Sequence, residues 1–309
     1  MLYNTFDEDK DYLLNKFRNP TFDQSTGLEN NEIRKNIERF ADEMGDTSPR
    51  IFKAKMFEYI ARNVQIDVNP HDWFAGFACW DRNSRLINPI FKVLWQKSLG
   101  DKEKTKAERE VLNETGAVML LPDFDHSIPD WDAVLTFGFP GLLKRIREFR
   151  DKHEANGTLT KEAKEYFDAL EITYEASLEL LERLRDFAKM NGNGHPRVQA
   201  VENCLDNLIN GVPKNIYEVL HMIYLYFIFS EHIDHMQVRS LGNLDNLLYP
   251  YYKNDLESGT FNESQIREFI DYFMMQYASI NNYWGHPFYL GGTHKNGESK
   301  INELSYIIL

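Results

Sequence analysis

The sequence predicts a helix-dominated α/β protein, and three observations carry that expectation. Apolar residues recur at three- and four-residue intervals along most of the chain, as amphipathic helices require. The longest such stretch, residues 161–190, places Phe167, Leu170, Tyr174, Leu178, Leu181 and Ala188 on one face. Two stretches break the helical period. They are the aromatic cluster Trp73-Phe74-Ala75-Gly76-Phe77 and the Gly-rich, aromatic segment at 285–292.

Taken in order, Ile33, Ile37, Phe40, Ala41 and Met44 define a first amphipathic helix. Ser48-Pro49 reads as an N-cap followed by proline at the first helical position, where a missing N–H costs nothing. A second helix then runs through Phe52, Met56, Tyr59 and Ile60. Between residues 67 and 86, Pro70, Gly76 and the aromatic cluster suit a short strand flanked by turns. A helix bearing Val111 and Leu112 follows, then a loop at 121–130 with Pro122 and Pro129. Leu142, Leu143, Ile146 and Phe149 open the next helix, and the long helix comes after it. Asn191-Gly192-Asn193-Gly194 ends that one, because Asn and Gly tolerate the left-handed conformation common at a helix C-terminus. Further helices are expected at 198–209, 216–230 and 262–280. The last opens with Asn262 and, three residues on, Gln265, a capping-box pattern. Residues 285–292 are a strand or a loop. The sequence contains no internal repeat, low-complexity tract or flexible linker.

Composition narrows the function. With 42% apolar and 14% aromatic residues among 309, a sizeable core can form. A formal charge of −13, from 48 acidic against 35 basic residues, argues against a nucleic-acid backbone as partner. The most apolar run, 216–229, contains Glu218 and His221 and is too short to span a bilayer. The N-terminus lacks a signal-peptide pattern, so a cytoplasmic protein is expected. Cys79 and Cys204 are far apart and form no CxxC, which supports neither a zinc ribbon nor a disulfide framework; both read as structural.

Three segments can carry chemistry. In Asp125-His126-Ser127-Ile128-Pro129-Asp130, His126 is either a general acid–base group or a hydrogen-bonding residue that orders the loop. Glu231-His232-Ile233-Asp234-His235 contains metal-binding side chains, but the spacing is neither HExxH nor the Glu-x-x-His of di-iron bundles. No metal is therefore expected, and a helical metalloprotein using His232 and His235 is the lesser alternative. Arg239, just beyond, is either a clamp for a substrate carboxylate or part of an ion pair. The third segment, Gly285-His286-Pro287-Phe288-Tyr289-Leu290-Gly291-Gly292, permits close backbone approach but matches no phosphate-binding loop.

Four motifs, in order, resemble the glycyl radical enzymes of the pyruvate formate-lyase type. His126-Ser127-Ile128-Pro129-Asp130-Trp131-Asp132-Ala133-Val134-Leu135, followed by Gly138 and Gly141-Leu142, resembles that family's Gly-His-x-x-Pro-Asp-Tyr-x-x-Val-Leu segment. Residues 196–220 resemble its helix, turn and following helix. Tyr249-Pro250-Tyr251-Tyr252, preceded by Asp245, resembles its Leu-Tyr-Pro-Tyr-Tyr. Leu290-Gly291-Gly292-Thr293 and Asn302-Glu303-Leu304-Ser305-Tyr306 resemble its Leu-Gly-Gly-x-Asp and Asn-Glu-Leu-Ser-Tyr. The likeness covers roughly residues 30–309. Asp125 stands where the family has Gly, and residues 232–240 replace its Ile-Glu-Ser-Asn-Gly-His segment.

The resemblance implies the N-terminal half of a ten-stranded α/β barrel with surrounding helices. Residues 1–120 would form a helical region and 121–309 the first part of the barrel. It implies radical cleavage or elimination on a small oxygenated carbon substrate, by a lyase or a formate acyltransferase-like enzyme. No cofactor would bind directly; a radical S-adenosylmethionine activase would install a glycyl radical in the complete enzyme, itself a homodimer. The radical glycine and thiyl cysteine are expected beyond residue 309, leaving this stretch inactive alone and prone to associate. A non-catalytic half-barrel that pairs with a complementary chain is the alternative. The residues expected to position substrate are His126, Asp130, His235, Arg239 and Phe288, with proton transfer at His126 and anion binding at Arg239.

Overall fold

The computed structural model describes residues 4–18, 25–77, 107–108, 110–112, 114–116, 126–233, 237–238, 240–279 and 287–309. Helices dominate. They are α1 (Phe6–Arg18), α2 (Asn30–Glu43), α3 (Pro49–Asn63), α4 (Trp131–Ala155), α5 (Lys161–Asn191), α6 (Pro196–Asn210), α7 (Ile216–Ile228), α8 (Leu244–Ser258), α9 (Glu263–Ser279) and α10 (Glu303–Ile308). The strands are two residues each. β1 (Ser25–Thr26), β2 (Ile66–Asp67) and β3 (Gly76–Phe77) make an antiparallel sheet in that order, and β4 (His126–Ser127) pairs in parallel with β5 (Gln237–Val238).

The core is built around α7. Every residue of this helix except Tyr226 is buried, and a helix that is apolar on all sides belongs at the centre of a layered packing. Helix α9 lies against it, and α1 packs on α9. Helix α5 packs against α3, α4 and α6, and α4, α6 and α8 also touch α7. Arg183 of α5 donates to the carbonyl oxygens of Ala61 and Val64, at 2.5 and 2.9 Å, which satisfies acceptors left open at the end of α3.

Several expectations hold. Helices α2, α3, α5, α6, α7 and α9 lie where the periodicity places them, and Pro49 occupies the first turn of α3. Asn262 and Gln265 form the capping box: the Gln265 amide donates to Asn262 Oδ1 and the Asn262 amide to Gln265 Oε1, both at 3.0 Å. Val111 and Leu112 are helical but exposed. The stretch around Leu86 falls outside the described residues.

Other expectations need correction. Ser48 occupies the N-cap position of α3 as expected but makes no side-chain cap bond; its hydroxyl donates instead to Glu165 Oε2 at 2.7 Å, tying α3 to α5. The left-handed residues after α5 are Asn193 (φ 47°) and Gly194, while Gly192 at the cap keeps a helical conformation. Helix α4 is two helical stretches joined at Gly138, whose φ of 61° and ψ of 176° are not helical. The second carries Leu142, Leu143, Ile146 and Phe149 as expected, while the first, from Trp131 and capped by Asp130 through the Ala133 amide, was not expected. Cys204, on α6, is buried, in keeping with its reading as a structural residue. Helices α1, α8 and the short α10 escaped the sequence reading. Helix α1 buries Asp9, Leu13 and Lys16, so its inner face is mostly charged and shows no apolar stripe. Helix α8 contains Pro250, a residue that argues against helix in isolation.

Candidate functional site

The β4–β5 pair brings two of the three candidate segments together. Its parallel register sets His126 opposite Gln237 and Ser127 opposite Val238. His126 thus lies on a strand beside the one that His235 precedes and Arg239 follows in sequence. His235, Asp234 and Arg239 lie outside the described residues, as do Asp125, Gly285 and His286. Glu231 and His232 belong to a π-helical turn, Phe229–Ile233, that continues α7. Among the described residues, no group of three or more His, Cys, Asp or Glu side chains is placed to hold a metal ion.

The third segment docks beside the second. The Leu241 amide donates to the Pro287 carbonyl at 3.2 Å, the Tyr289 amide to Gly242 at 2.8 Å and the Leu244 amide to Tyr289 at 3.0 Å. Residues 287–289 therefore run along 241–244, the connection leading from β5 into α8. Phe288 is half-buried against the core. Asp130, exposed at the N-terminus of α4, accepts from the Ala133 amide at 3.1 Å. The neighbouring Trp131 is buried, stacks edge-on against Tyr226 and donates its indole N–H to the Ser240 carbonyl at 3.2 Å. Trp131 thus joins the start of α4 to the chain just after Arg239. Sequence reasoning singled out Asp130 but passed over Trp131 as a motif residue; an indole whose N–H must find a partner when buried was the available signal.

The motif residues at the C-terminal end converge on one buried carboxylate. Asp245 receives hydrogen bonds from residues of both the Gly291-Gly292 turn and the Asn302–Ser305 cap. Tyr249 donates to Glu303 Oε2 at 2.9 Å, which raises its own pKa. Beside them lies an open groove of about 640 Å³ between α8, α10 and residues 294–302, lined by Tyr249, His294, Lys300, Ile301 and Tyr306 among others.

A separate pairing of thiol and imidazole, Cys204 with His221, has the composition of a nucleophile–base dyad without its electrostatics. Cys204 Sγ lies 3.5 Å from His221 Nδ1, while His221 Nε2 accepts from the Ala75 amide at 3.1 Å. Burial lowers the His221 pKa to about 3, so the ring is neutral with its proton on Nδ1. Burial, and then the charge of Glu218, push the Cys204 thiol well above its ordinary range. A neutral thiol in a closed core is no nucleophile. Nor does it fit a thiyl-radical role: Cys204 lies inside the helical packing on α6, away from the β4–β5 pair. Cys79 falls outside the described residues.

The architecture can be compared with solved and curated proteins. A glycyl radical enzyme from Archaeoglobus fulgidus matches 96% of this chain with a TM-score of 0.72 at 15% identity, and the chain covers 45% of that structure. The fold is that of the glycyl radical enzymes, ten-stranded α/β barrels, over about half of their extent. The 4-hydroxyphenylacetate decarboxylase glycyl radical subunit of Clostridioides difficile is 21% identical over 201 residues, 57% of this chain and 22% of that subunit. The (2S)-3-sulfopropanediol dehydratase of Klebsiella oxytoca is 21% identical over 208 residues, 60% of this chain and 25% of that enzyme. The family profile described as pyruvate formate lyase-like matches residues 112–309, and the chain belongs to that family. No helix among the described residues is long and apolar enough to cross a membrane.

Proposed function

We propose that this chain supplies a substrate-holding wall of a glycyl radical lyase, which eliminates or cleaves a C–heteroatom or C–C bond of a small oxygenated compound. The observation that carries the reading is the parallel register of β4 and β5, which sets the His126 segment beside the segment leading to Arg239. In this reading His126, Asp130, His235, Arg239 and Phe288 surround the substrate. His126 transfers a proton to the departing group and Arg239 binds an anionic end. The two relatives named above act on a carboxylate and a sulfonate by name, which suits a guanidinium at that position. Decarboxylase and dehydratase relatives favour lyase chemistry over acyl transfer. No residue described here fits the radical-bearing cysteine or glycine, so no radical step is assigned to this chain. The complete unit would be cytoplasmic and homodimeric, with a radical S-adenosylmethionine activase as partner, residues 1–120 as its helical region and 121–309 as the first part of its barrel.

The test is reconstitution under anaerobic conditions with the activase and the remaining portion of a pyruvate formate lyase-like barrel. The expected result is a glycyl radical signal and turnover of at least one of 4-hydroxyphenylacetate, (2S)-3-sulfopropanediol, propane-1,2-diol or glycerol. Arg239→Gln should raise KM for an anionic substrate about tenfold to a hundredfold, as loss of a charge-assisted bidentate contact does. Turnover that is indifferent to both His126→Ala and Arg239→Gln sinks the reading.

A second reading, a non-catalytic half-barrel that pairs with a complementary chain, is favoured by the groove beside α10. Its walls include Ile301 and Tyr306, 56% and 69% exposed, large apolar surface of the kind that marks an interface. Under this reading Tyr306→Asp abolishes co-purification with the remaining barrel portion, and reconstituted samples never turn over.

A further inference from the structure

Asp245 has no exposed surface, and the five hydrogen bonds it makes all run toward it. Its Oδ2 accepts from the Gly291 amide at 2.7 Å and from the Ser305 hydroxyl. Its Oδ1 accepts from Asn243 Nδ2 at 2.9 Å and from both the amide and the side-chain nitrogen of Asn246 at 2.8 Å. Five donors around one group suit a side chain that offers two acceptor oxygens, which an aspartate does and an asparagine does not. The donors come from three places in the chain. Gly291 belongs to the turn that follows Phe288. Asn243 and Asn246 belong to the junction of β5 and α8. Ser305 closes the capping box of α10, where its hydroxyl also accepts from the Asn302 amide at 3.0 Å.

The same segments are also tied to one another: Asn246 Nδ2 donates to the carbonyls of Gly291 and Lys300 at 3.4 Å, and the Lys300 amide donates to the Gly292 carbonyl at 2.9 Å. The turn at Gly291 has φ +65°, and an added Cβ would stand 2.7 Å from Ile301 Cγ1, so the turn fits against 299–302 only with a glycine there. The strip 287–289 is held to 241–244 by the three backbone hydrogen bonds described above. Residues 241–244 continue upstream to Ser240, whose carbonyl receives the Trp131 indole at the entrance of α4. A path of direct contacts thus runs from α10 through Asp245 to residues 240–244, and on to Trp131 and Asp130.

We propose that Asp245 is a positioning residue for the candidate site: it sets where the Phe288 strip and the Ser240 junction sit relative to Trp131. This rests on the proposed function only for the identity of the site; the coupling itself is a property of the fold. Asp245→Asn would turn an NH2 toward groups that donate, and Ser305→Ala would remove one donor while leaving the carboxylate.

The experiment uses the full 309-residue chain labelled with 5-fluorotryptophan, with the Trp131 resonance assigned from Trp131→Phe. Hydrogen exchange of peptides covering 287–292 is followed in parallel. Asp245→Asn and Ser305→Ala should each shift the Trp131 fluorine resonance and accelerate exchange in 287–292 by about tenfold or more. Asp255→Asn is the control: Asp255 is also buried, lies ten residues further along α8, and accepts from the Ile216 amide at 2.7 Å at the start of α7. It should leave the Trp131 resonance and the exchange of 287–292 unchanged. A Trp131 resonance unmoved by Ser305→Ala, or moved equally by Asp255→Asn, overturns the proposal; if Asp245→Asn fails to fold, Ser305→Ala decides alone. None of these readouts needs turnover, so a failed reconstitution would sink the functional reading and leave this coupling standing or falling by itself.

Discussion

Arg197 and Asp9 form a fully buried ion pair at 2.7 Å that fastens the first helix to the sixth, 188 residues away. The guanidinium also donates to the carbonyls of Pro70 and Asn4 and lies 4.9 Å from the ring centroids of both Trp73 and Tyr272. Asp9 in turn accepts from Asn4, Arg197 and Tyr272 and contacts His71 Nδ1 at 2.7 Å. Burial of this carboxylate opposes its ionisation, but the hydrogen bonds outweigh it and hold the pKa below the ordinary value.

Removing one member of such a pair leaves the other charged and buried. Arg197→Met should therefore destabilise the chain by about 3–5 kcal/mol. The double variant Asp9→Asn/Arg197→Met should recover part of that loss, because the fully buried charge at Asp9 is removed as well. Urea unfolding monitored by circular dichroism checks both. The linkage sign follows from the lowered pKa of Asp9: its contribution is present above the ordinary carboxylate pKa and fades as pH falls through the lower folded value. A double variant as unstable as Arg197→Met alone would mean that lost packing, rather than the stranded charge, sets the cost.

Asp72 gives the opposite pH dependence. Fully buried, it accepts from the Phe74 amide at 3.0 Å and from Gln276 Nε2, and burial raises its pKa from 3.8 to about 7 against the opposing charges of Lys16 and Arg197. The neutral acid is the form the fold prefers. Its contribution is complete below pH 3.8 and is lost as pH rises through about 7. Asp72→Asn should therefore melt at least about 3 °C above the parent at pH 8, with the gap closing by pH 4. Scanning calorimetry across that range tests it; a gap that does not change with pH would exclude Asp72 as the titrating group.

The α4 kink separates two glycines that look alike in sequence. Gly138 has φ 61°, and an added Cβ would meet the Gly211 carbonyl oxygen at 2.5 Å, a backbone atom that cannot swing away. At Gly141 the nearest atom would be Phe137 Cβ at 3.1 Å, a side-chain atom just ahead of the kink. Gly138→Ala should cost about 3 kcal/mol or more and disturb the α4–α6 contact. Gly141→Ala should cost less than about 1 kcal/mol, since alanine favours helix and a small shift relieves the contact. Equal losses at the two positions in denaturant titrations would contradict the assignment of the kink to Gly138.

These differences also mark what the sequence could reveal. Helices with an apolar stripe, such as α5 and α9, were legible because burial of the stripe is what stabilises them. Helix α1 was not, since Asp9 and Lys16 replace apolar residues on its inner face and their partners, Arg197 and Asp67, are far away in the chain. Helix α8 was hidden by Pro250. For the candidate site, His126, Asp130 and Phe288 could be singled out by type and motif, yet only the β4–β5 register and the 241–244 strip put their segments side by side. Asp245 was visible merely as the residue ahead of the Tyr-Pro-Tyr-Tyr motif. Its role depends on donors contributed by positions up to 60 residues later, which no local pattern encodes.

The buried thiol offers a direct check on the reading of Cys204. Its pKa is pushed well above the ordinary value, its neighbour His221 is held neutral at about 3, and only 2% of the residue is exposed. Alkylation needs both a thiolate and a path for the reagent, and this position provides neither. In a Cys79→Ser background, iodoacetamide at pH 8 should leave Cys204 unmodified for hours in native buffer and label it fully within minutes in denaturant, as read by intact mass. Cys204→Ala should cost about 1–2 kcal/mol through the small cavity it leaves and the lost contact to His221, without altering any activity recovered on reconstitution. Rapid alkylation of the native chain would require the α6–α7 packing to open on that timescale. A loss of turnover in Cys204→Ala at unchanged stability would place this thiol in the chemistry after all.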